Sequence, residues 1–242
     1  MKTIGLLGGM SWESTAVYYK LINEGIRKEL GGLASADILM RSFDFQQVVD
    51  LQRSQRWDCA TNLLAEAAKG LASAGADCIL ICTNTMHLVA EDVAKRCDVP
   101  LLNIIDATAN ALKTHRKVRP LLLATRYTME QGFYAEHMKR QGIEVLIPDA
   151  ADRAICHSII FDELCQGIVS ETGQDALRKM AGRGQSMGAD SIILGCTELG
   201  LSISGEDLTL PSFDSTHIHA AASVAFALSN QGCVPVRASA IH

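Results

Sequence analysis

Nowhere in the 242 residues does an uninterrupted apolar stretch approach the roughly 18 that a membrane-spanning helix needs, which excludes that class. None of the eight cysteines (59, 78, 82, 97, 156, 165, 196 and 233) belongs to a C-x-x-C pair, which disfavours a dithiol redox enzyme. No block of like charge occurs and the formal net charge is −5, so neither nucleic acid nor a membrane surface is an expected partner. The locally basic Lys113–Arg119 is diluted by its neighbours and reads as a solvated helix end. The start, MKTIGLLGGMS, has a short apolar run with no A-x-A site behind it, so it reads as a strand and not as a signal peptide. Without an export signal, the cysteines are expected as reduced thiols in a cytoplasm, most of them small core residues.

What is present is an alternation of short apolar runs and longer helical patterns. Strands are expected at Thr3–Leu7, Asp37–Arg41, Cys78–Cys82, Leu101–Ile105, Leu121–Ala124, Glu144–Leu146 and Ser191–Gly195. Helices are expected at Ser14–Glu29, Cys59–Ala74, Ala107–Thr114, Met129–Gln141, His157–Gln166, Gly173–Met187 and His217–Leu228. In the first of these, Val17, Tyr18, Leu21, Ile22 and Ile26 share one face at helical spacing. Such alternation implies an α/β fold with parallel sheet and right-handed crossovers.

An internal repeat sharpens that expectation. ADCILICTNTMH (Ala76–His87) and ADSIILGCTELG (Ala189–Gly200) align at an offset of 113, and each follows a helix ending in S-x-G-A-D. A weaker match, at offset 117, sets GLLGGMSWE (Gly5–Glu13) against LLATRYTME (Leu122–Glu130). Two pseudo-symmetric α/β lobes are therefore expected, each a parallel sheet flanked by helices, with the active site in the cleft between them. Residues 1–104 plus 213–230 would form the first lobe, 105–212 the second, and 231–242 a tail.

Ligands in open α/β sheets bind beyond the carboxyl ends of the strands. The repeat places Thr83 at one such end and Cys196 at the other. If the lobes face each other, a hydroxyl and a thiol flank one carbon, which is what inversion of a stereocentre requires: one group removes a proton and the other returns one. A thiol of pKa near 8.5, lowered by nearby dipoles, suits removal. The T-N-T and C-T-E turns add hydroxyls and backbone N–H groups suited to a carboxylate, making Asn84, Thr85 and Thr197 candidate ligands. Gly8-Gly9-Met10-Ser11 is a third turn at a strand end, able to bring N–H groups to an anion through Met10 and Ser11; it matches no nucleotide-binding fingerprint. Thr125 and Thr128 occupy its partner turn. Arg53, beside Gln52, could hold a carboxylate in bidentate fashion. His87 reads as a core or helix-start histidine. His217 and His219 lack the further ligands a metal site needs, so no metal is expected. Cys78 and Cys82 share one strand face and are expected in the core.

GLLGGMSWEST, CTNTMH, ATRYTM and GCTELG, in this order and over nearly the whole chain, resemble the cofactor-independent aspartate/glutamate racemase family. The resemblance implies two-base 1,1-proton transfer at Cα of acidic amino acids, with no pyridoxal phosphate and no metal, in a homodimer. It also implies a cysteine from each lobe. Here Thr83 stands at the first-lobe position, and Cys82, one residue early, would point to the opposite face unless a bulge turned it. The family lysine for the distal carboxylate is replaced by Cys165. By the same analogy Cys196 serves the L face, so an enzyme biased toward the L substrate is expected. Without an electron sink, donors near Gly9–Ser11, Asn84–Thr85 and Thr197 must stabilise the enolate-like intermediate. Two other readings fit a lone second-lobe cysteine: a decarboxylase or isomerase of the same superfamily, or a non-enzymatic binder of small carboxylates.

Overall fold

The computed structural model describes residues 1–203 and 205–229. Cys233 and the expected tail lie outside the described residues. Seven strands occur among them: β1 (Ile4–Gly8), β2 (Ile38–Ser42), β3 (Cys78–Ile81), β4 (Leu101–Leu102), β5 (Pro120–Leu123), β6 (Ser191–Leu194) and β7 (Ser212–Asp214). The helices are α1 (Trp12–Leu30), α2 (Phe45–Arg53), α3 (Trp57–Ser73), α4 (Ala90–Ala94), α5 (Ile104–Thr114), α6 (Arg126–Glu130), α7 (Phe133–Arg140), α8 (Ala150–Ser158), α9 (Glu171–Ser186), α10 (Thr197–Ser202) and α11 (Ser215–Leu228). No described helix is long and apolar enough to cross a membrane.

Two parallel sheets result, ordered β2-β1-β3-β4 and β5-β6-β7. β1, β3, β5 and β6 are almost wholly buried, the mark of parallel strands covered on both faces. The expected strand at Glu144–Leu146 is reduced to one parallel bridge, Leu121 to Leu146. β7 pairs with β6, so Phe213 and Asp214 lie in the second sheet, and the chain returns to the first only with α11. The buried face of α11 (Ala220, Val224, Ala227) joins Ile4, Leu6, Tyr18, Ile22 and Ile26 in one apolar cluster.

The repeat has a physical cause in both copies. Gly75 and Gly188 take φ of 105° and 88°, left-handed values that glycine adopts without a Cβ penalty. Ala76 N–H then reaches back to Leu71 O at 3.0 Å, and Ala189 N–H to Gly184 O at 2.9 Å, ending α3 and α9 alike. The aspartate that follows pins the neighbouring strand. Thr3 N–H donates to Asp77 Oδ2 at 2.7 Å, and Val118 N–H to Asp190 Oδ2 at 2.7 Å. The weaker repeat has a different register. Ser11 caps α1 and Thr125 caps α6, so these two residues correspond structurally, whereas offset 117 pairs Ser11 with Thr128.

Two further expectations are corrected. The chain turns at Asn103, whose side chain accepts from Ile105 N–H at 2.8 Å, so Ile104 and Ile105 open α5 and do not extend β4. Gly132, at φ 77°, splits the single helix expected at Met129–Gln141 into α6 and α7.

Candidate active site

Both sheets aim their carboxyl ends at one tight cavity. From the first sheet it takes Met10, Ser14, Phe45, Gln52, Thr83, Asn84 and Thr85; from the second, Thr125, Gly195, Cys196, Thr197 and Glu198. Ile160, Phe161 and Cys165 close a third side. Ile160 and Phe161 sit in a π-helical turn (Ile159–Glu163) that continues α8, where one unbroken helix was expected. Thr83 and Cys196 thus line the same hollow, from opposite sheets.

Thr83 is held through its backbone. His87 Nδ1 lies 2.8 Å from Thr83 O, and Ile104 N–H donates to His87 Nε2 at 3.1 Å. Since Nε2 is an acceptor, Nδ1 carries the proton and donates to Thr83. Burial, then neighbouring His219, pulls the His87 pKa down to about 3, so the ring stays neutral and structural. Among the described residues the Thr83 hydroxyl has no hydrogen-bond partner, leaving it free toward the cavity.

Asn84 is fixed by a relay. Its Nδ2 donates to Ser215 Oγ at 3.0 Å, and Ser215 Oγ donates to Leu194 O at 2.9 Å. This leaves Asn84 Oδ1 as a buried acceptor with no partner. An orphan acceptor in a cavity wall invites an N–H donor.

The sheets are stitched together around the cavity. Thr85 Oγ1 lies 2.9 Å from Thr125 Oγ1 and 3.2 Å from Thr128 Oγ1. Thr197 Oγ1 meets Thr216 Oγ1 at 3.0 Å. Ser11 accepts from Ser14 N–H as the α1 cap and donates to Glu198 Oε1 at 2.8 Å. Gln52 Nε2 donates to Met86 Sδ at 3.3 Å. Of the residues expected to bind substrate, Arg53 (at the exposed end of α2) and the buried Ser11 and Thr128 are not among the lining residues. Gly9 sets the turn after β1: its φ is 81°, and a Cβ there would overlap the Phe43 backbone. The Met10–Ser11 peptide bond is cis.

Cys196 corrects one electrostatic expectation. It caps the short α10, yet its thiol is pushed well up, first by burial and then by the Glu198 charge. Its Sγ donates to Glu198 Oε2 at 2.9 Å. The Glu198 backbone N–H pulls the other way without prevailing. Cys165 Sγ, 3.8 Å from Glu198 Oε1, is raised by the same two causes. Glu198, only 3% exposed, therefore joins Ser11, Cys165 and Cys196. Sequence alone does not single it out, because an acid in the first turn of a helix is ordinary and Ser11 lies 187 residues away. Its one sequence signal was its place beside the thiol in C-T-E.

The remaining candidates are structural. Cys78 and Cys82 pack with Ile4, Leu6 and Tyr18, with no bulge to turn Cys82 toward the cavity. Burial raises both thiols, Cys78 to about 12. His219 Nε2 donates to Leu102 O at 2.7 Å, so its Nδ1 accepts from Tyr18 at 2.9 Å. His217 pairs with Asp214 at 2.9 Å. No group of three histidine, cysteine or acidic side chains able to hold a metal occurs among the described residues.

Residues 7–223 match the Asp/Glu/Hydantoin racemase family. An Asp/Glu racemase candidate from Yersinia pestis superposes with a TM-score of 0.89 at 48% identity, covering 94% of this chain and 100% of that one. An aspartate racemase homologue from Pyrococcus horikoshii OT3 gives 0.83 at 34% identity, over 94% and 99% of the two chains. A broad-specificity amino-acid racemase of Bacillus subtilis is 26% identical over 94% of this chain and 99% of its own. With the family match spanning both sheets and the cavity between them, the chain belongs to the Asp/Glu/Hydantoin racemase family.

Proposed function

We propose that the chain is an amino-acid racemase that inverts Cα by 1,1-proton transfer, with Cys196 as the base on one face and Thr83 as the proton donor on the other. The observation that carries this reading is that Thr83 and Cys196 line one cavity from two sheets. The raised thiol requires a proton acceptor, and Glu198 Oε2 already accepts a hydrogen bond from Cys196 Sγ at 2.9 Å. Glu198 takes that proton as Sγ takes the α-proton; the Thr83 hydroxyl, directly or through water, delivers a proton to the opposite face and is replenished from solvent. The orphan Asn84 Oδ1 accepts from the α-ammonium. Thr85, Thr125 and Thr197, with the N–H groups of their turns, face the α-carboxylate and the enolate-like charge that develops on it. The narrow cavity is a closed state that must part to admit an amino acid and then exclude water during transfer.

Thr83 is scarcely ever ionised and so abstracts a proton far more slowly than Cys196. The free energies of the two enantiomers are equal, so the asymmetry lies in α-proton exchange with solvent. Exchange is faster from the isomer presented to Cys196, by the family resemblance the L isomer. Aspartate and glutamate, which the family resemblance implies, are the reference pair. The test is α-proton exchange in D₂O, followed by proton NMR from each enantiomer. Faster wash-in from L isomers is expected, and equal rates would refute the asymmetry. Release of CO₂ from a disubstituted malonate without amino-acid exchange would favour the decarboxylase reading instead.

A further inference from the structure

Beside the cavity the two halves of the fold meet at a rim that the proton transfer leaves unused. Gln52 lines the cavity, and exposed Arg53 follows it as the last residue of α2. From the other half, Thr125 lines the cavity, and exposed Arg126 follows it as the first residue of α6. Each half thus sets one arginine directly after a lining residue. Arg126 N–H donates to His157 Nδ1 at 3.3 Å, and the Arg126 guanidinium lies 5.7 Å from the Tyr127 ring. The His157 ring packs on Phe161, itself a lining residue, with centroids 4.6 Å apart. Tyr127 meets Trp57 of α3 edge-on at 6.1 Å, so both halves contribute to this rim.

Among the described residues neither guanidinium has a carboxylate partner. Burial, then Arg126, pulls the His157 pKa down against Asp162 and Glu130, and Arg53 acts in the same sense as Arg126, so the ring between them is neutral at pH 7. Those two acids are already engaged: Glu130 pairs with Arg153 at 2.8 Å, and Asp162 accepts from Ser158 Oγ at 2.6 Å. Two unpaired positive charges therefore flank the cavity. An acidic amino acid carries one net negative charge, and its amide carries none. The chain itself stands at −5, and Glu198 is the one charged side chain in the described lining, so both repel an acidic substrate. A guanidinium at the rim acts across low-dielectric walls over several ångströms and offsets that repulsion without touching the substrate.

On the racemase reading of Thr83 and Cys196, we infer that Arg53 and Arg126 form a cationic rim, one residue from each half of the fold, that makes the cavity selective for acidic amino acids over their amides. The pair acts by charge on binding and takes no part in the proton transfer, in place of the bidentate contact expected of Arg53 from the sequence.

The test measures α-proton exchange in D₂O on the full-length protein, for L-glutamate and L-aspartate and for their amides. Arg53→Gln and Arg126→Gln should each raise KM for both acids by roughly fivefold and leave kcat unchanged. Arg53→Lys and Arg126→Lys keep the charge and should keep the wild-type KM. Raising NaCl from about 0.1 M to about 1 M shortens the screening length from about 10 Å to about 3 Å; this should raise KM for the acids in the wild type and have little effect in the double Gln variant. Gln variants with unchanged KM for the acids, or with KM raised equally for the amides, would overturn the inference, as would Lys variants that fail like the Gln ones. The racemase reading would survive each of these results. No exchange from any amino acid in the wild type would remove that reading instead. Calorimetric titration with L-glutamate would then decide the rim: roughly fivefold weaker binding to each Gln variant is expected, and equal binding, or none to the wild type, would overturn it.

Discussion

Acidification from pH 7 toward 5 should destabilise this protein steeply through two buried histidines. His87 and His219 are fully enclosed, and burial pulls their pKa values down to about 3 and about 4. In the unfolded chain both titrate near 6.5. A base with a depressed folded pKa contributes its full stability above the unfolded value and loses it as pH falls. Between about 6 and 4 the unfolded chain therefore binds more protons than the fold, almost two more near pH 5. Each proton contributes a slope of about 1.4 kcal/mol per pH unit, so the step from pH 6 to 5 costs roughly 2–3 kcal/mol. Against a typical total of about 5–15 kcal/mol, this is enough to unfold a marginal domain near pH 4. His157, half-buried and also lowered, adds to the same trend. His217, raised by Asp214, has the opposite sign: its contribution is complete below the unfolded value and fades only as pH rises through the folded one. It therefore leaves this window unchanged. Urea unfolding followed by far-ultraviolet circular dichroism at half-unit steps from pH 7 to 4.5 reads the slope directly. His87→Gln and His219→Gln should each remove about half of it, whatever they do to stability at pH 7. An unchanged slope in both variants would show that the two rings are protonated within the fold, and the account of their hydrogen bonds would be wrong.

Three further outcomes are expected. Cys196→Ala should abolish α-proton exchange from both enantiomers, while Thr83→Cys should raise the slower direction at least tenfold; wash-in from D- and L-substrate reads both. Glu198→Gln removes the charge beside the thiol, so the pH midpoint of Cys196 alkylation by iodoacetamide should fall, and a rise would show that the carboxylate is not what raises it. Gly9→Ala meets both a left-handed φ and the Phe43 backbone, and should cost about 3 kcal/mol or more in urea unfolding, whereas Gly31→Ala, strained in φ but open in space, should cost less.

The parallel strands were legible because four of the seven are short, buried, aliphatic runs followed by a turn. The helix stops at Gly75 and Gly188 were legible for the same local reason. β7 was missed: three residues after Pro211 carry too little pattern to separate from loop. Ile104 and Ile105 were read as strand because β-branched residues favour it, but the Asn103 cap decided otherwise. In the site, Thr83 and Cys196 could be paired from the repeat alone. Arg53 could not be excluded, since nothing in DLQRSQRWD says which way an arginine points. Glu198 could be found only through Ser11, Cys165 and Cys196, contacts that need the folded chain.

The last helix completes the sheet laid down by the first residues. Until residue 228 is available, the face carrying Ile4, Leu6 and Leu80 lacks Ala220, Val224 and Ala227 as its cover. During synthesis the amino-terminal half must therefore wait, its oily side bare, for nearly all of the remaining chain to leave the ribosome. Nor can the gene be divided cleanly between its two similar halves: the second keeps its own core from Ile104 to Phe213, but the first would lose the cover that α11 supplies. Whatever process produced the repeat, one half now leans on the other.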